Sequence, residues 1–527
     1  MASTGDVVRP VGTHAKYNTA RNSLGILHAV VVTCRYKISA AHLRQQSLSL
    51  HDMIENALGT VVLEQAMLRV GIVGEDTKEP AFVHLETVNL KHMVEWVELK
   101  SPSVKLSPES ESEARSRHRA PDDIDDGLLR SLEKYHQSPW EDLTNKPGWK
   151  LVVHHDPAQL QSKENGALAS LDIAFCYHHA YADGRGGYIF HSALQRALNN
   201  LVQAPELRDP ILHIPAQTLL PPPMGELIPF RLSWPFILRT AWAELLYPAL
   251  VPVFLRRVLC LEPSAADIPW TGNSATESDS DVEKKMHIRT LVAVDDEAQL
   301  RNILAQCRSH KTSLTGLLHA LIARSLAGSV RDRAFCSITP ISLAGYVDRK
   351  VASTAFTPGE TIHCLVTGLT SAHDRDAIQA LRRDGPQDGR NDDGDAAMWA
   401  FASNMTSRLR AKAASLPRDD IQALAGLVGD WHAFFRGKLA QPREATWELS
   451  NLGSLDNGEG QGPWLIDRAM FTQGANPVGP ALCVNVAGVA GHGIHVNATW
   501  QDGALDSDIV EKLADDMRAS IAELGDA

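Results

Sequence analysis

Two patterns of apolar residues alternate along the chain. Runs of β-branched or alternating apolar residues predict strands at 24–36, 67–74, 81–88, 93–100, 149–156, 171–179, 286–295, 333–343, 361–370, 480–490 and 493–502. Apolar residues spaced three and four apart predict helices at 40–58, 127–135, after 187, and at 296–310, 313–328, 396–416 and 508–524. Because strands and helices alternate in both halves of the chain, we predict an α/β protein with two lobes.

Three polar segments interrupt this pattern, at 101–126, 271–285 and 383–395. They contain almost no large apolar residues, so they cannot bury enough surface to offset the entropy lost on ordering. We expect them to be exposed loops. The second follows a long apolar stretch, which predicts an N-terminal lobe at 1–215, a crossover and linker at 216–285 and a C-terminal lobe at 286–527.

The apolar stretch at 229–260 resembles a membrane span at first sight. Five charged residues and three prolines interrupt it, and its longest nearly uncharged part is shorter than the roughly 20 residues that a span needs. We predict no transmembrane span and interpret the stretch as a proline-broken helical crossover packed on the core. The alternative is an interfacial helix or the wall of an apolar tunnel.

Composition narrows the class of protein. The 527 residues include 51 basic and 63 acidic side chains, a net charge of −12, and no block of Lys and Arg, which argues against nucleic acid as a partner. The seven cysteines are scattered without a CxxC spacing, so we predict neither a zinc site nor a disulfide framework. Together with an N-terminus that lacks an apolar leader, this predicts a cytoplasmic protein.

One short segment has the residues for proton-transfer chemistry. His179, Asp183 and Gly184 form an H-x-x-x-D-G pattern directly after the apolar strand at 171–177. A histidine at the end of a buried strand is rigidly placed and can remove a proton from an alcohol near neutral pH. Asp183 would hold the loop by pairing with an arginine, or fix the imidazole tautomer. The competing interpretation is an ordinary Asp-Gly turn with a structural histidine.

Two other histidine groups are weaker candidates. Neighbouring residues of a strand face opposite sides, so His178 is expected to face the lobe interior or its surface if His179 faces a cleft. His154, His155 and Asp156 lie close together, but no further ligands with zinc spacing accompany them. We interpret that group as a polar strand end and predict no metal.

At the histidine motif the chain resembles the superfamily of CoA-dependent acyltransferases, which includes chloramphenicol acetyltransferase, plant BAHD acyltransferases and the condensation domains of nonribosomal peptide synthetases. It is most similar to the fungal alcohol O-acetyltransferase-like branch. Four further segments contribute to the resemblance, in the expected order between residues 9 and 503: Lys16–Gly25, Pro269–Gly272, Ser313–Leu321 and Ser450–Gly453. The DFGWG segment of BAHD enzymes does not occur, which favours the alcohol acetyltransferase branch.

The resemblance implies a fold and a general base. We expect two chloramphenicol acetyltransferase-like lobes, each a mixed β-sheet flanked by helices, with a central channel between them. His179 would remove the proton of an acceptor hydroxyl. Asp183 would support the loop together with Gly184 by pairing with an arginine, for which Arg21 and Arg349 are the candidates.

The resemblance also implies two binding regions. Ser450 and Asn451 occupy the position expected to stabilise the oxyanion, although an ordinary polar turn before Gly453 would explain them equally well. Arg308 and Lys311, with His310, would bind CoA phosphates at the N-terminus of the following helix. The alternative is a solvated charged loop.

The function that follows is acyl transfer, most simply acetyl transfer, from acyl-CoA to a hydroxyl of an apolar small molecule or secondary metabolite. No bound cofactor is expected, since acetyl-CoA is a co-substrate, and a two-lobed chain is expected to act as a monomer. Trp234, Trp242 and Trp270 would suit an apolar acceptor pocket, although core packing explains them as well. Two alternatives stay open: an acyl-carrier protein as donor or an amine as acceptor, and a non-catalytic binding module.

Overall fold

The computed structural model describes residues 6–99, 126–161, 167–201, 210–216, 218–242, 267–273, 285–351, 355–382, 392–458 and 462–526. Most of the three polar segments and residues 243–260 of the apolar stretch lie outside these ranges, so the predictions made for them are not tested. Of the helices in the described ranges, none is long and apolar enough to cross a membrane.

Strands and helices follow one another through both halves, as predicted. The strands are β1 (Val7–Pro10), β2 (Val30–Ser39), β3 (Val70–Val73), β4 (Ala81–His84), β5 (Thr87–Asn89), β6 (Val94–Glu98), β7 (Trp149–His155), β8 (Leu168–Tyr177), β9 (Ile211–His213), β10 (Met286–Val294), β11 (Phe335–Ser342), β12 (Val366–His373), β13 (Ala445–Leu455), β14 (Leu465–Gln473), β15 (Pro480–Val489) and β16 (Gly493–Gln501).

The helices begin after polar capping residues at many positions, for example Ser49 and Ser313, whose hydroxyls accept backbone N–H bonds of the first turn. They are α1 (Thr13–Ser23), α2 (Ala40–Gln45), α3 (Leu50–Glu64), α4 (Leu90–Met93), α5 (Asp126–Gln137), α6 (Pro157–Leu160), α7 (Gly184–Asn199), α8 (Met224–Leu227), α9 (Trp234–Ala241), α10 (Glu297–Ser309), α11 (Leu314–Ser329), α12 (Arg375–Gln379), α13 (Asp392–Ser415), α14 (Trp431–Leu439) and α15 (Ser507–Asp526).

Each lobe is built on one mixed sheet. The first has the strand order β14-β2-β8-β7-β6, in which only β6 and β7 are parallel. The second has the order β10-β16-β15-β13-β11-β12, in which β11, β13 and β15 run parallel. Each sheet has its own large apolar core, the first around β2, β8, α3 and α7 and the second around β13, β15, α11 and α15. The predicted α/β class and the mixed sheets flanked by helices are confirmed.

One strand crosses the predicted lobe boundary. β14 belongs by sequence to the C-terminal range 286–527, yet it pairs antiparallel with β2 along the edge of the first sheet. The sequence analysis did not predict β14, because its run Leu-Ile-Asp-Arg-Ala-Met-Phe-Thr-Gln has two charged residues that break the alternation. The first sheet is therefore completed by the second half of the chain, which ties the lobes together.

Some predicted elements differ from the structure, and the reason is clear for three of them. The strand predicted at 361–370 begins only at Val366, because residues 360–365 bond to side chains of the first lobe instead of a neighbouring strand. The helix predicted at 40–58 is two helices, α2 and α3, separated at residues 46–49. The strand predicted at 24–36 begins at Val30, since Ile26 and Leu27 close the end of α1 through backbone bonds to Arg21.

Candidate active site

The histidine motif lies at the junction between β8 and α7. β8 is buried along most of its length and ends at Tyr177. A turn then follows, in which the Tyr181 N–H donates to the His178 carbonyl at 3.0 Å. The Tyr177 hydroxyl donates to the Asp183 carbonyl at 2.7 Å and so closes the loop onto its own strand. The backbone around His179 is thus fixed at both ends before the helix begins.

The His179 ring has one nitrogen bonded and one nitrogen open. Nδ1 lies 2.9 Å from the Ala182 carbonyl oxygen. A carbonyl oxygen only accepts, so Nδ1 carries the proton and Nε2 has the free lone pair. No described residue forms a hydrogen bond with Nε2, and the side chain is partly exposed. This is the tautomer that a general base for an external hydroxyl requires.

The surroundings keep this ring neutral. Desolvation in the site, the largest effect, and the positive charge of Arg21 lower the pKa of His179 to about 4. The hydrogen bond to Ala182 acts in the opposite direction but does not outweigh these effects. At neutral pH the imidazole is therefore in the form that accepts a proton.

His178 faces the opposite side of the strand end, as predicted. It is fully buried, and its Nδ1 accepts the Ala180 N–H at 2.9 Å. Its Nε2–H therefore donates to the Glu75 carboxylate at 2.6 Å. Glu75 also accepts from the Asn22 side chain at 2.9 and 3.0 Å. Both ring nitrogens are used inside the lobe, so His178 has a structural role.

Asp183 joins the two lobes through backbone amides. One carboxylate oxygen accepts the Gly186 N–H at 2.9 Å and caps α7, and the other accepts the Leu365 N–H of the second lobe at 2.9 Å. The Asp183 N–H in turn donates to the His363 carbonyl at 3.2 Å. Burial raises the pKa of the Asp183 carboxyl, while these amide bonds lower it.

The arginine partner predicted for Asp183 is wrong. No ion pair joins Asp183 to Arg21 or Arg349 in the described part of the chain. Arg21 instead lies over the Tyr17 ring and donates to Asn18 at 3.4 Å. Backbone N–H groups bind the carboxylate instead of an arginine side chain, because the α7 N-terminus and the 363–365 segment both present donors to it, and the charge of the adjacent Arg185 lowers its pKa.

Gly184 allows the second lobe to approach the motif. A Cβ on this residue would overlap the end of the Leu452 side chain of β13, so a larger residue would require Leu452 to move. The adjacent Arg185 donates to the Leu452 carbonyl at 2.9 Å. The end of β13 therefore packs directly on the first turn of α7. The sequence analysis assigned Gly184 to loop support, and this contact gives that role a physical reason.

Ser450 and Asn451 lie within β13 and not in a turn, so the turn interpretation is wrong. Neighbouring strand residues face opposite sides, and the two side chains do not converge on one oxyanion. The Asn451 amide accepts from the Gly453 N–H at 2.8 Å and donates to Thr315 in α11 at 3.1 Å. Asn451 thus fastens β13 to α11, and Ser450 alone stays the predicted oxyanion donor.

The β13 face that carries Ser450 is directed toward the first sheet. Glu448, two residues earlier on that face, accepts from Gln473 of β14 at 2.6 Å. Burial raises the pKa of the Glu448 carboxyl, and the charge of Arg21 lowers it. The positive charge of Arg21 lowers the pKa of both His179 and Glu448, so Arg21 lies within electrostatic range of both groups.

Several residues of the site were not predicted. Asn18 donates to the His179 carbonyl at 3.3 Å, and the Cys364 sulfur lies 3.8 Å from His179 Nδ1. Burial raises the pKa of the Cys364 thiol well above its usual value, so it is a neutral neighbour of the ring. A small cavity of about 30 Å³ adjoins this side of the motif and is lined by Ala180, Tyr181 and Cys364 among others. Asn18 and Arg21 belong to the segment Lys16–Gly25 that contributed to the resemblance, whereas no sequence signal marked Cys364 or Glu75.

Arg308 and Lys311 were both expected at a helix N-terminus, but only Lys311 lies near one. Arg308 is in the last turn of α10, and Lys311 lies in the turn before α11 with a positive φ of 54°. The cap of α11 is Ser313, whose hydroxyl accepts the Gly316 N–H at 3.2 Å. Since Thr315 bonds to Asn451, this end of α11 lies beside β13. The contact of Arg308 and Lys311 with CoA stays a prediction.

The three tryptophans proposed for an acceptor pocket do not form one. Trp234 and Trp242 are 76% and 51% exposed, whereas Trp270 packs beside Phe335 at the core of the second lobe. His154 bonds to the Asp172 carbonyl and to Ser131 inside the first lobe. In the described ranges no three His, Cys, Asp or Glu side chains are grouped as metal ligands.

Comparison with known proteins finds similar chains that are described as alcohol acetyltransferases. A family model described as alcohol acetyltransferase matches residues 123–334, which include the histidine motif. The chain is 29% identical over 530 residues to a probable alcohol acetyltransferase, FCK4, of Fusarium pseudograminearum strain CS3096, covering 99% of this chain and 96% of that protein. It is 21% identical to a probable alcohol acetyltransferase, crmB, of Aspergillus fumigatus, covering 95% and 96% of the two chains.

Solved structures show the same fold. The TRI3 trichothecene 15-O-acetyltransferase of Fusarium sporotrichioides aligns with a TM-score of 0.61 at 15% identity, over 98% of this chain and 94% of that one. The first condensation domain of the calcium-dependent antibiotic synthetase aligns with a TM-score of 0.53 at 12% identity, over 98% and 96%. The chain therefore has the two-lobe fold of CoA-dependent acyltransferases and condensation domains. The resemblance inferred from the sequence is confirmed, and the family and curated matches support an acyltransferase activity.

Proposed function

We propose that the protein transfers an acyl group, most simply acetyl, from acyl-CoA to a hydroxyl of an apolar small molecule, with His179 as the general base. The observation that carries this proposal is the state of the His179 ring. Its Nδ1–H is held by the Ala182 carbonyl, its Nε2 is open, and its pKa is lowered to about 4. Such a base is neutral and available throughout the physiological pH range.

The reaction proceeds in two steps at this nitrogen. Nε2 removes the hydroxyl proton while the acceptor oxygen forms a bond to the thioester carbonyl carbon, and the carbonyl electron pair moves onto its oxygen. When that pair returns, the carbon–sulfur bond breaks and the CoA thiolate leaves. The thiolate takes the proton from the imidazolium, which restores neutral His179. No acyl group is attached to the protein.

The second lobe supplies the groups that stabilise the developing charge. Ser450 lies on the face of β13 that is directed toward the first sheet, and its hydroxyl would donate to the oxyanion. Loss of one such donor typically costs about 3 to 4 kcal/mol of transition-state stabilisation. Arg308 and Lys311 would bind the CoA phosphates near the start of α11, which Asn451 fastens to β13.

The test is acceptor-dependent thiol release from acetyl-CoA with a panel of apolar alcohols. The native protein should release CoA only when an alcohol is present, and the acetyl ester should form in equal amount. His179→Ala should reduce the rate by about 10²- to 10⁴-fold. His213→Ala, which removes an exposed histidine of β9, is the matched control and should keep the native rate.

Each other result points to a different conclusion. An undiminished rate in His179→Ala would reject this histidine as the base. Transfer that occurs only from an acyl-carrier protein, or only to amines, would replace the donor or the acceptor in the proposal. Absence of transfer with every donor and acceptor would favour a non-catalytic binding module.

A further inference from the structure

A short helix on the surface presents a stripe of large apolar side chains to solvent. Trp234 and Leu238 of α9, and Trp242 directly after its last residue, are 76%, 64% and 51% exposed. They are spaced four residues apart, so they lie on one side of the helix. The other tryptophans in the described ranges are less exposed, and Trp149, Trp447 and Trp464 are fully buried.

The side chains of the helix are half-buried or exposed. None of the eight residues of α9 is buried. Its N-terminus is held by Asp419, whose carboxylate accepts the Ser233 N–H at 2.6 Å and the Ser233 hydroxyl at 2.9 Å. An exposed stripe of large apolar side chains is expected to pack on another surface.

Basic side chains accompany the stripe. Arg231 precedes the helix and Arg239 lies on it, and both are exposed. Arg418 lies beside Arg231 through a backbone bridge between the two residues. The nearby Asp419 is already engaged by Ser233 and lies 3.5 Å from Arg418. This face is therefore locally basic on a chain whose net charge is −12.

We propose that this face docks on an anionic phospholipid surface. Two tryptophans and a leucine on one helix face, with arginines at its border, match the pattern of helices that lie in the membrane interface. The arginines would contact the lipid phosphates while the apolar stripe enters the boundary of the acyl region.

The proposal is tested by binding of the full-length chain to vesicles. Vesicles of phosphatidylcholine with a minor fraction of phosphatidylserine should sediment with the native protein, and high salt should weaken the binding. The double variant Trp234→Ala with Leu238→Ala should bind the vesicles at least about tenfold more weakly than the native protein. Leu168→Ala, which removes a side chain that is 55% exposed at the start of β8, is the matched control and should bind normally.

A charge variant separates the contribution of the arginines from that of the apolar stripe. Arg231→Glu with Arg239→Glu should lose the preference for vesicles that contain phosphatidylserine over vesicles of phosphatidylcholine alone.

Native melting temperatures in all variants would show that they remain folded, which is expected because α9 buries none of its residues. Native-level vesicle binding by the Trp234→Ala/Leu238→Ala variant, or no binding by the native chain, would overturn the proposal. Self-association that the same variant abolishes would show instead that a second copy covers this face. Because the assay reads binding, its result is independent of the proposed acyl transfer.

Discussion

His178 and His179 are neighbours at the end of β8, but their surroundings are opposite. On the closed side, His178 is fully buried and bonded through both ring nitrogens to Ala180 and Glu75. On the open side, His179 is partly exposed, and only Nδ1 is bonded. Both residues follow the same buried strand and have the same chemistry in isolation. The difference shows that side-chain direction and hydrogen-bond partners decide which histidine is available for proton transfer.

The largest expected effect comes from replacing each histidine in turn. His179→Ala should reduce acyl transfer by about 10²- to 10⁴-fold with a nearly native melting temperature. His178→Ala should lower the free energy of unfolding by about 2 to 4 kcal/mol, because it empties a fully buried site and removes one partner of the half-buried Glu75 carboxylate. Kinetics and thermal denaturation of both variants check this. The distinction between the two sides would be contradicted by a large loss of stability in His179→Ala.

Asp183→Ala should affect both lobes at once. It removes the acceptors of the Gly186 and Leu365 N–H groups, each a loss of about 1 to 3 kcal/mol for a buried donor. Acyl transfer should fall as well, because Leu365 directly follows Cys364, whose sulfur lies beside the His179 ring. Asp183→Asn retains one acceptor oxygen and should recover part of the lost stability. Equal stability of Asp183→Ala and the native protein would show that this carboxylate does not fasten the lobes.

Acidification should destabilise the protein. The pKa values of His136, His179, His191 and His363 are lowered by burial to about 4, and that of His319 to about 3, from an ordinary value of 6.5. The unfolded chain therefore binds more protons below pH 6.5, and the free energy of unfolding should fall as the pH drops from 6.5 toward 4. Chemical denaturation at pH 7.5 and pH 5 measures this. His179→Gln should reduce the pH dependence by up to about 1.4 kcal/mol per pH unit, one histidine's share.

The smallest effect is expected from Glu75→Gln. A glutamine oxygen still accepts the His178 Nε2–H, but the negative charge and one of the two oxygens that accept from Asn22 are lost. The free energy of unfolding should fall by about 1 kcal/mol, and acyl transfer should change only a few-fold. Denaturation curves and initial rates check both values. A loss of activity as large as that of His179→Ala would instead place Glu75 in the proton transfer.

The fold class and the histidine motif could be predicted because their signals are local. β8 is a continuous apolar run, α11 has a serine cap and helical spacing, and the H-x-x-x-D-G pattern lies between a strand and a helix. His179 and His178 were assigned to opposite sides from strand geometry alone. The resemblance then gave the two-lobe fold that the solved structures share.

The remaining parts depend on contacts between distant residues. β14 was missed because its charged residues, Asp467 and Arg468, pair with Lys37 and Asp172 of the first sheet, which no local pattern reveals. The partner of Asp183 was wrong because a backbone amide 182 residues away replaced the expected arginine. A turn stayed the alternative for Ser450 and Asn451 because a polar Ser-Asn pair before a glycine is typical of turns, whereas the pairing with β15 extends the strand through them.

The measurement that tests the central claim most directly is ¹⁵N NMR of the histidine side chains in the full-length protein, with the His179 signals assigned by their loss in His179→Gln. The structure predicts a neutral ring at pH 7 with the proton on Nδ1 and an unprotonated Nε2, and this state should persist to about pH 5 because the pKa is about 4. An imidazolium at pH 7, or a proton on Nε2, would contradict the assignment of His179 as the general base.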